Sequence, residues 1–249
     1  MDSIVRIIFT LFSFFCLSWH VTAQERSPND LELVTGLPKP PFILENSKTG
    51  LQLDLISEAF ATQNMNIDYV SMPLGRNITG FQRGNVDGVI TVPPSYKYPS
   101  MYVSKPYINY QNIAVTLSDS HIELASIKDL SAFSIIAFQN AKKFLGDEFA
   151  DIAAYSVDYR ELANQKQQFD MLFSRRAEVI ILDVNIFKYF VRKYGSDVVN
   201  SAFEMHYLFP EREYSIGFKK KEHMEAFNEG LQTIIENGTY QVILDNYLL

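Results

Sequence analysis

Arg176-Ala177-Glu178-Val179-Ile180-Ile181-Leu182-Asp183, continued by Val184-Asn185-Ile186-Phe187-Lys188-Tyr189-Phe190-Val191-Arg192-Lys193-Tyr194, holds the pattern on which the chain is built. Glu178 to Leu182 is a short, branched apolar run and reads as a strand. Val184 to Tyr194 reads as the helix that follows, with Asp183 at the junction. The same alternation repeats toward the N-terminus. Leu31 to Thr35 reads as a strand, Pro38 to Thr49 as a Pro-rich loop, and Leu51 to Asn64 as an amphipathic helix with apolar residues at 51, 53, 55, 56, 59 and 60. Asn66 to Met72 reads as a strand, Asn77 to Arg83 as a short helix ending at Gly84 as a C′ glycine, and Val86 to Val92 as a buried strand.

Further along, Ile113 to Leu117 reads as a strand, Ile127 to Leu130 as a helical turn, and Phe133 to Phe138 as a strand leading into a helix near Asn140 to Phe149. Tyr159 to Ser174 reads as one helix. Tyr207 to Pro210 and Tyr214 to Lys219 read as extended. Lys221 to Asn237 reads as a helix closed by Gly238, with a short final helix after it. Alternating strands and helices predict an α/β fold with helices on both faces of mainly parallel sheets. Ligands of open α/β sheets sit beyond the carboxyl ends of strands. That rule points to the loops after residues 35, 72, 92, 138 and 182.

The N-terminus has a different character. Arg6 precedes an apolar run from Ile7 to Leu17, and Val21 and Ala23 supply small residues before the chain turns polar at Gln24. This reads as a secretory signal peptide over 1–23, cleaved after Ala23; the alternative is an uncleaved anchor. The run is about half the roughly 20 residues of a spanning helix. The only Cys, Cys16, and the only Trp, Trp19, both fall in this segment. The expected mature chain therefore carries no disulfide, although it enters an oxidising compartment. The net charge of −7 argues against nucleic-acid binding.

Pro40-Pro41-Phe42 with Thr49-Gly50-Leu51-Gln52-Leu53-Asp54-Leu55 resembles the opening of the family 3 bacterial extracellular solute-binding proteins. Gly84-Asn85-Val86-Asp87-Gly88-Val89, Tyr102-Val103-Ser104-Lys105-Pro106-Tyr107, Arg176 to Asp183, and Asn237-Gly238-Thr239-Tyr240 through Tyr247 resemble later segments of the family, in order. The resemblance implies a two-lobed, type II periplasmic-binding-protein-like fold. Residues 24–114 plus 216–249 would form the first lobe and 115–215 the second. The hinge crossings would lie near Ala114-Val115-Thr116 and Glu213-Tyr214-Ser215. It also implies a periplasmic location, a small-molecule solute as partner, and an ABC permease or membrane sensor as recipient. We expect a monomer without cofactor.

Carried over by position, Asp183 matches the acidic residue that meets a ligand ammonium; it is equally placed to cap the helix after it. The stretch that holds a carboxylate-clamping Arg in amino-acid-binding members has none here, from Thr91 to Pro99, and the first-loop acid of some basic-amino-acid binders is absent near Gly36. Arg76 and Lys39 are the cations that can replace the clamp, against a plain reading as solvated surface charges. Phe42 and Tyr96 are candidates to stack on a ligand or simply to pack. Thr91 and Ser95 offer hydroxyls. Asn140, after Gln139, stands where helix-start amides can bind an anion, or where a side chain caps the helix.

Catalysis has little support. No Gly-x-Ser-x-Gly occurs, and His121, His206 and His223 lack metal-ligand spacing. The expected function is capture of a small polar solute, an amino acid or related carboxylate. A free-standing sensor and a cyclohexadienyl-dehydratase-like enzyme are the alternatives.

Overall fold

Leu31 to Thr35 extends by one residue into β1 (Asp30–Thr35), the centre of the parallel half of the first sheet. The computed structural model describes residues 27, 29–73, 76–95, 97, 99–198 and 202–249, the side chains of 196–198 excepted. The expected signal peptide at 1–23 and the candidate Tyr96 lie outside the described residues. β2 (Asn66–Ser71) and β3 (Gly88–Val92) flank β1, both parallel to it. Between them run α1 (Leu51–Ala61) and α2 (Asn77–Arg83). In α1 every apolar position expected to face the core is at most 1% exposed.

β4 (Tyr102–Val103) and β5 (Ile108–Tyr110) follow. The chain then passes through Gln111 into the second sheet. That sheet contains β6 (Asn112–Leu117), β7 (Ser134–Phe138), β8 (Asp158–Leu162), β9 (Val179–Asp183) and β10 (Phe203–His206), in the order β10-β6-β9-β7-β8. Its helices are α3 (Ala141–Phe144), α4 (Asp147–Tyr155), α5 (Gln165–Phe173) and α6 (Val184–Val198). The chain returns across 207–211 to β11 (Arg212–Phe218), which pairs with β3, β4 and β5 of the first sheet. α7 (Lys221–Glu236) and α8 (Thr239–Leu248) complete the fold. Gly238, at φ 83°, closes α7 as expected. Both crossings fall a few residues before the expected segments, because β6 takes up pairing at Asn112 and β11 at Arg212.

Both sheets are mixed. β1, β2 and β3 are parallel, as are β7, β8 and β9, but β6 and β11, which carry the chain between sheets, run antiparallel to their neighbours. The core follows from strand alternation. In β9, Ile180 and Leu182 face one apolar cluster while Val179 and Ile181 face another. In β1, Leu31 and Leu33 face the large cluster and Val34 the cluster under α2. A run apolar on both faces is what a strand covered by helices on both sides requires.

The largest departure from expectation is at Tyr159–Ser174. Asp158–Leu162 is the edge strand β8, parallel to β7, and the helix begins only at Gln165, where the Asn164 side chain accepts from the Lys166 amide. β8 pairs on one flank only and keeps polar residues exposed, so it lacks the apolar run that marks a buried strand. The expected helix near Asn140–Phe149 is two short helices, with Gly146 at φ 99° before the second. Tyr207 to Pro210 is not a strand; the extended segment beside it is β10, one step earlier. Gly84 is extended (φ −83°), not left-handed; a Cβ there would lie 2.5 Å from the Gly80 carbonyl oxygen, and that proximity accounts for the glycine.

Candidate functional site

The carboxyl end of β9 delivers Asp183 to the point where α6 begins. Asp183 is 2% exposed. Its Oδ1 accepts from the amides of Asn185 (2.8 Å) and Ile186 (3.3 Å), and its Oδ2 accepts from the amide of Gln111 (2.8 Å). Asp183 therefore caps α6, the structural role foreseen for it, and also lines a cavity of about 140 Å³. Burial pushes its carboxyl up to about 6, against the pull of the three amides and of Lys39.

Opposite it stands Lys39, in the loop after β1. That loop is held by a bond from the Lys39 amide to the Ile43 carbonyl (2.9 Å), and the first amides of α1 donate to the Pro41 and Phe42 carbonyls. The Lys39 ammonium lies 4.5 Å from the centre of the Tyr110 ring. Burial lowers its pKa to about 8, and Asp183 works against that shift. Neither charge makes a direct ion pair among the described residues. Two opposite charges thus share one cavity, each partly stripped of water and each without a full partner.

The wall between them comes from both sheets. Gly36, Leu37, Pro38, Thr91, Tyr110 and Tyr214 belong to the first; Asn112, Phe138, Gln139, Phe144, Gln165 and Ile186 belong to the second. Tyr110 is the keystone of the first side. Phe42 stacks beneath it at 4.2 Å, which leaves the other face to Lys39, and Tyr214 meets it edge-on at 5.1 Å. The Tyr110 hydroxyl donates to Gln52 Oε1 (3.1 Å), while Gln52 Nε2 donates to Thr91 Oγ1 (2.8 Å) and to the Tyr107 hydroxyl. Gln52, fully buried in α1, so fixes Tyr110 and Thr91 together. Thr91 itself sits at φ 62°, where a β-branched residue is strained, beside an irregularity in the β3–β11 register.

Of the residues expected from sequence, Lys39, Thr91 and Asp183 converge on the cavity. Phe42 does not line it; it is wholly buried behind Tyr110. Arg76, at the start of α2, and Ser95, in the turn after β3, are exposed and outside the lining. The Asn140 side chain makes no capping bond, and the amides near it are already used by an internal anion. Glu161 of β8 accepts from the Asn140 amide (2.7 Å), the Lys142 amide (3.2 Å) and the Tyr159 hydroxyl (2.7 Å).

Sequence reasoning missed Gln52, Tyr110, Tyr214 and Gln165. Tyr214 lay within an expected crossing, and that position was its only signal. Gln165 was hidden inside the helix read over Tyr159–Ser174. One more residue links site and crossings: Gln111 donates its amide to Asp183 and its side-chain Nε2 to the Phe209 carbonyl (2.6 Å), tying the outgoing crossing to the returning one.

A search of curated protein sequences finds no match. Solved structures match over most of the chain. One is the GluR0 ligand-binding core in complex with L-glutamate (TM-score 0.72, 18% identity, 88% of this chain and 98% of that one). Another is an ancestral amino-acid-binding protein, a precursor of cyclohexadienyl dehydratase (0.71, 18%, 89% and 96%). A third is an amino acid ABC transporter substrate-binding protein from Streptococcus pneumoniae bound to L-arginine (0.67, 16%, 88% and 94%). At these identities the likeness establishes the fold, that of type II periplasmic binding proteins. The model of one family spans residues 31–249, nearly everything the structure describes, and by that match the chain belongs to the bacterial extracellular solute-binding proteins, family 3.

Proposed function

We propose that the protein is an exported receptor for a small zwitterion of the amino-acid type. The ligand carboxylate meets Lys39 and its ammonium meets Asp183. The observation that carries this reading is the pair of opposite charges facing one cavity, Asp183 buried and Lys39 half-buried, neither in a direct ion pair among the described residues. A ligand bearing both charges restores to each what burial removed; a ligand bearing one leaves the other uncompensated. The aromatic wall of Tyr110, Tyr214, Phe138 and Phe144 suits an apolar body. The amides around Asp183 orient it as a fixed anion, which fits binding without chemistry.

Lys39 hangs from the first sheet and Asp183 from the second, so one ligand engages both. The two sheet units act as lobes that close on the solute about the crossings at Gln111 and 207–211, with Gln111 passing the state of Asp183 to both. Delivery to an ABC permease in the periplasm is part of this proposal, supported by the extracellular family description and by the transporter substrate-binding neighbour.

The test is thermal unfolding of the protein lacking residues 1–23 against neutral, acidic and basic L-amino acids, dicarboxylates and polyamines. A true ligand at about 100 times Kd adds about 2.7 kcal/mol of stability. Stabilisation by at least one amino acid supports the proposal. Stabilisation confined to polyamines or to dicarboxylates refutes it.

A further inference from the structure

Gln165 stands at the first turn of α5, on the cavity wall, and its Oε1 is buried without a hydrogen-bond partner. A buried carbonyl with no donor is costly, and native proteins rarely leave one so without a reason. Three residues on, Gln168 is wholly buried, and both its amide atoms lack partners. Positions three apart share a helix face, so one side of α5 carries unspent amide groups, beginning at the cavity. Asp183 and Gln165 are two acceptors in the wall supplied by the second sheet, beside the apolar Phe138, Phe144 and Ile186.

We infer that Gln165 is a specificity-determining residue whose Oε1 accepts a hydrogen bond from a second donor on the ligand. That donor is separate from the ammonium assigned to Asp183. The solute is then an amino acid whose side chain is apolar along its length and ends in an N–H or O–H group. This rests on the zwitterion reading above, and it makes a narrower demand.

The experiment uses matched probes that differ by one neutral donor: 6-hydroxy-L-norleucine against L-norleucine, and L-threonine against L-valine. Dissociation constants are measured by calorimetry on wild type, Gln165→Leu and Asp183→Asn. The expected result is a wild-type preference of about tenfold or more for the donor-bearing member of at least one pair. Gln165→Leu brings the two constants of that pair together by weakening the donor-bearing member. Asp183→Asn weakens both members alike, which separates the two roles. A wild-type preference for the aliphatic member of both pairs overturns the inference, as does a loss in Gln165→Leu shared equally within a pair. If Asp183→Asn changes neither member, the zwitterion reading fails and the inference falls with it; if none of the four probes binds wild type although another amino acid stabilises it, the inference is overturned and the zwitterion reading stands.

Discussion

Asp183 makes a prediction about pH that can be worked through from the structure. The folded carboxyl is raised from 3.8 to about 6 by burial. Between those values the native state holds a proton that the unfolded chain releases. The stabilisation from this group is therefore complete below about pH 4 and lost as pH rises through 6. The difference amounts to about 3 kcal/mol at neutral pH, the burial cost of the ionised carboxylate. Binding has the opposite dependence, because the ammonium needs the ionised form. At pH 5 only about a tenth of Asp183 is ionised, so Kd for a zwitterion rises about tenfold between pH 7 and pH 5. Asp183→Asn removes the titrating group. It relieves about 3 kcal/mol of burial cost, but turns an NH₂ toward the Gln111 amide, a mismatch of about 1–3 kcal/mol. The two nearly cancel, so the variant folds about as stably as wild type at pH 7. It binds the zwitterion more weakly by about 2–5 kcal/mol, roughly 30-fold or more. Calorimetry from pH 5 to 7, with a probe that does not titrate in that range, reads both quantities. A flat profile in wild type, or an acid limb that persists in Asp183→Asn, refutes the assignment.

Gln52→Leu leaves the Tyr110 and Tyr107 hydroxyls and Thr91 Oγ1 without their shared partner. Loss of about 3–5 kcal/mol in urea unfolding is expected, together with weaker ligand binding as Tyr110 loosens; full stability would refute the role of Gln52 in fixing Tyr110 and Thr91. Gly230→Ala, in the middle of α7, gains about 1 kcal/mol of helix propensity. Its Cβ, however, falls 2.0 Å from the Ala59 carbonyl oxygen of α1, too close for any rotamer to relieve. Separating the two helices outweighs the propensity gain, and Tm falls; a raised Tm would show that α1 and α7 are not in close contact.

The parts of the fold legible in sequence are those with two buried faces or one long apolar stripe. β9, β3 and α1 declared themselves because every apolar side chain in them is spent on the core. β8 and β10 did not. Each lies at a sheet edge and pairs on one flank. The site divides the same way. Asp183 was legible because one charged residue at the end of an apolar run is a local pattern. Lys39 was visible only as a cation in a Pro-rich loop; its setting over Tyr110 depends on a strand about 70 residues away, which no local pattern reports.

Gln165 shows how an error in the fold becomes an error in the site. The rule that ligand groups gather past the carboxyl ends of strands pointed to Asp183 after β9 and to the loop after β1 that bears Lys39, and both residues line the cavity. The same rule applied to β8 leads to Asn164 and Gln165, and Gln165 lines the cavity. It was not applied because Asp158–Leu162 was absorbed into a helix, where position 165 has no special meaning. The polarity that disguised β8 has a use of its own. Glu161 points its carboxylate at the amides before and within α3, which a ligand anion would otherwise be free to claim. With that place filled by the chain itself, Lys39 is the cation among the described residues that line the cavity, and under the proposed reading the ligand's negative end would be directed to the first sheet while its donors turn to the second.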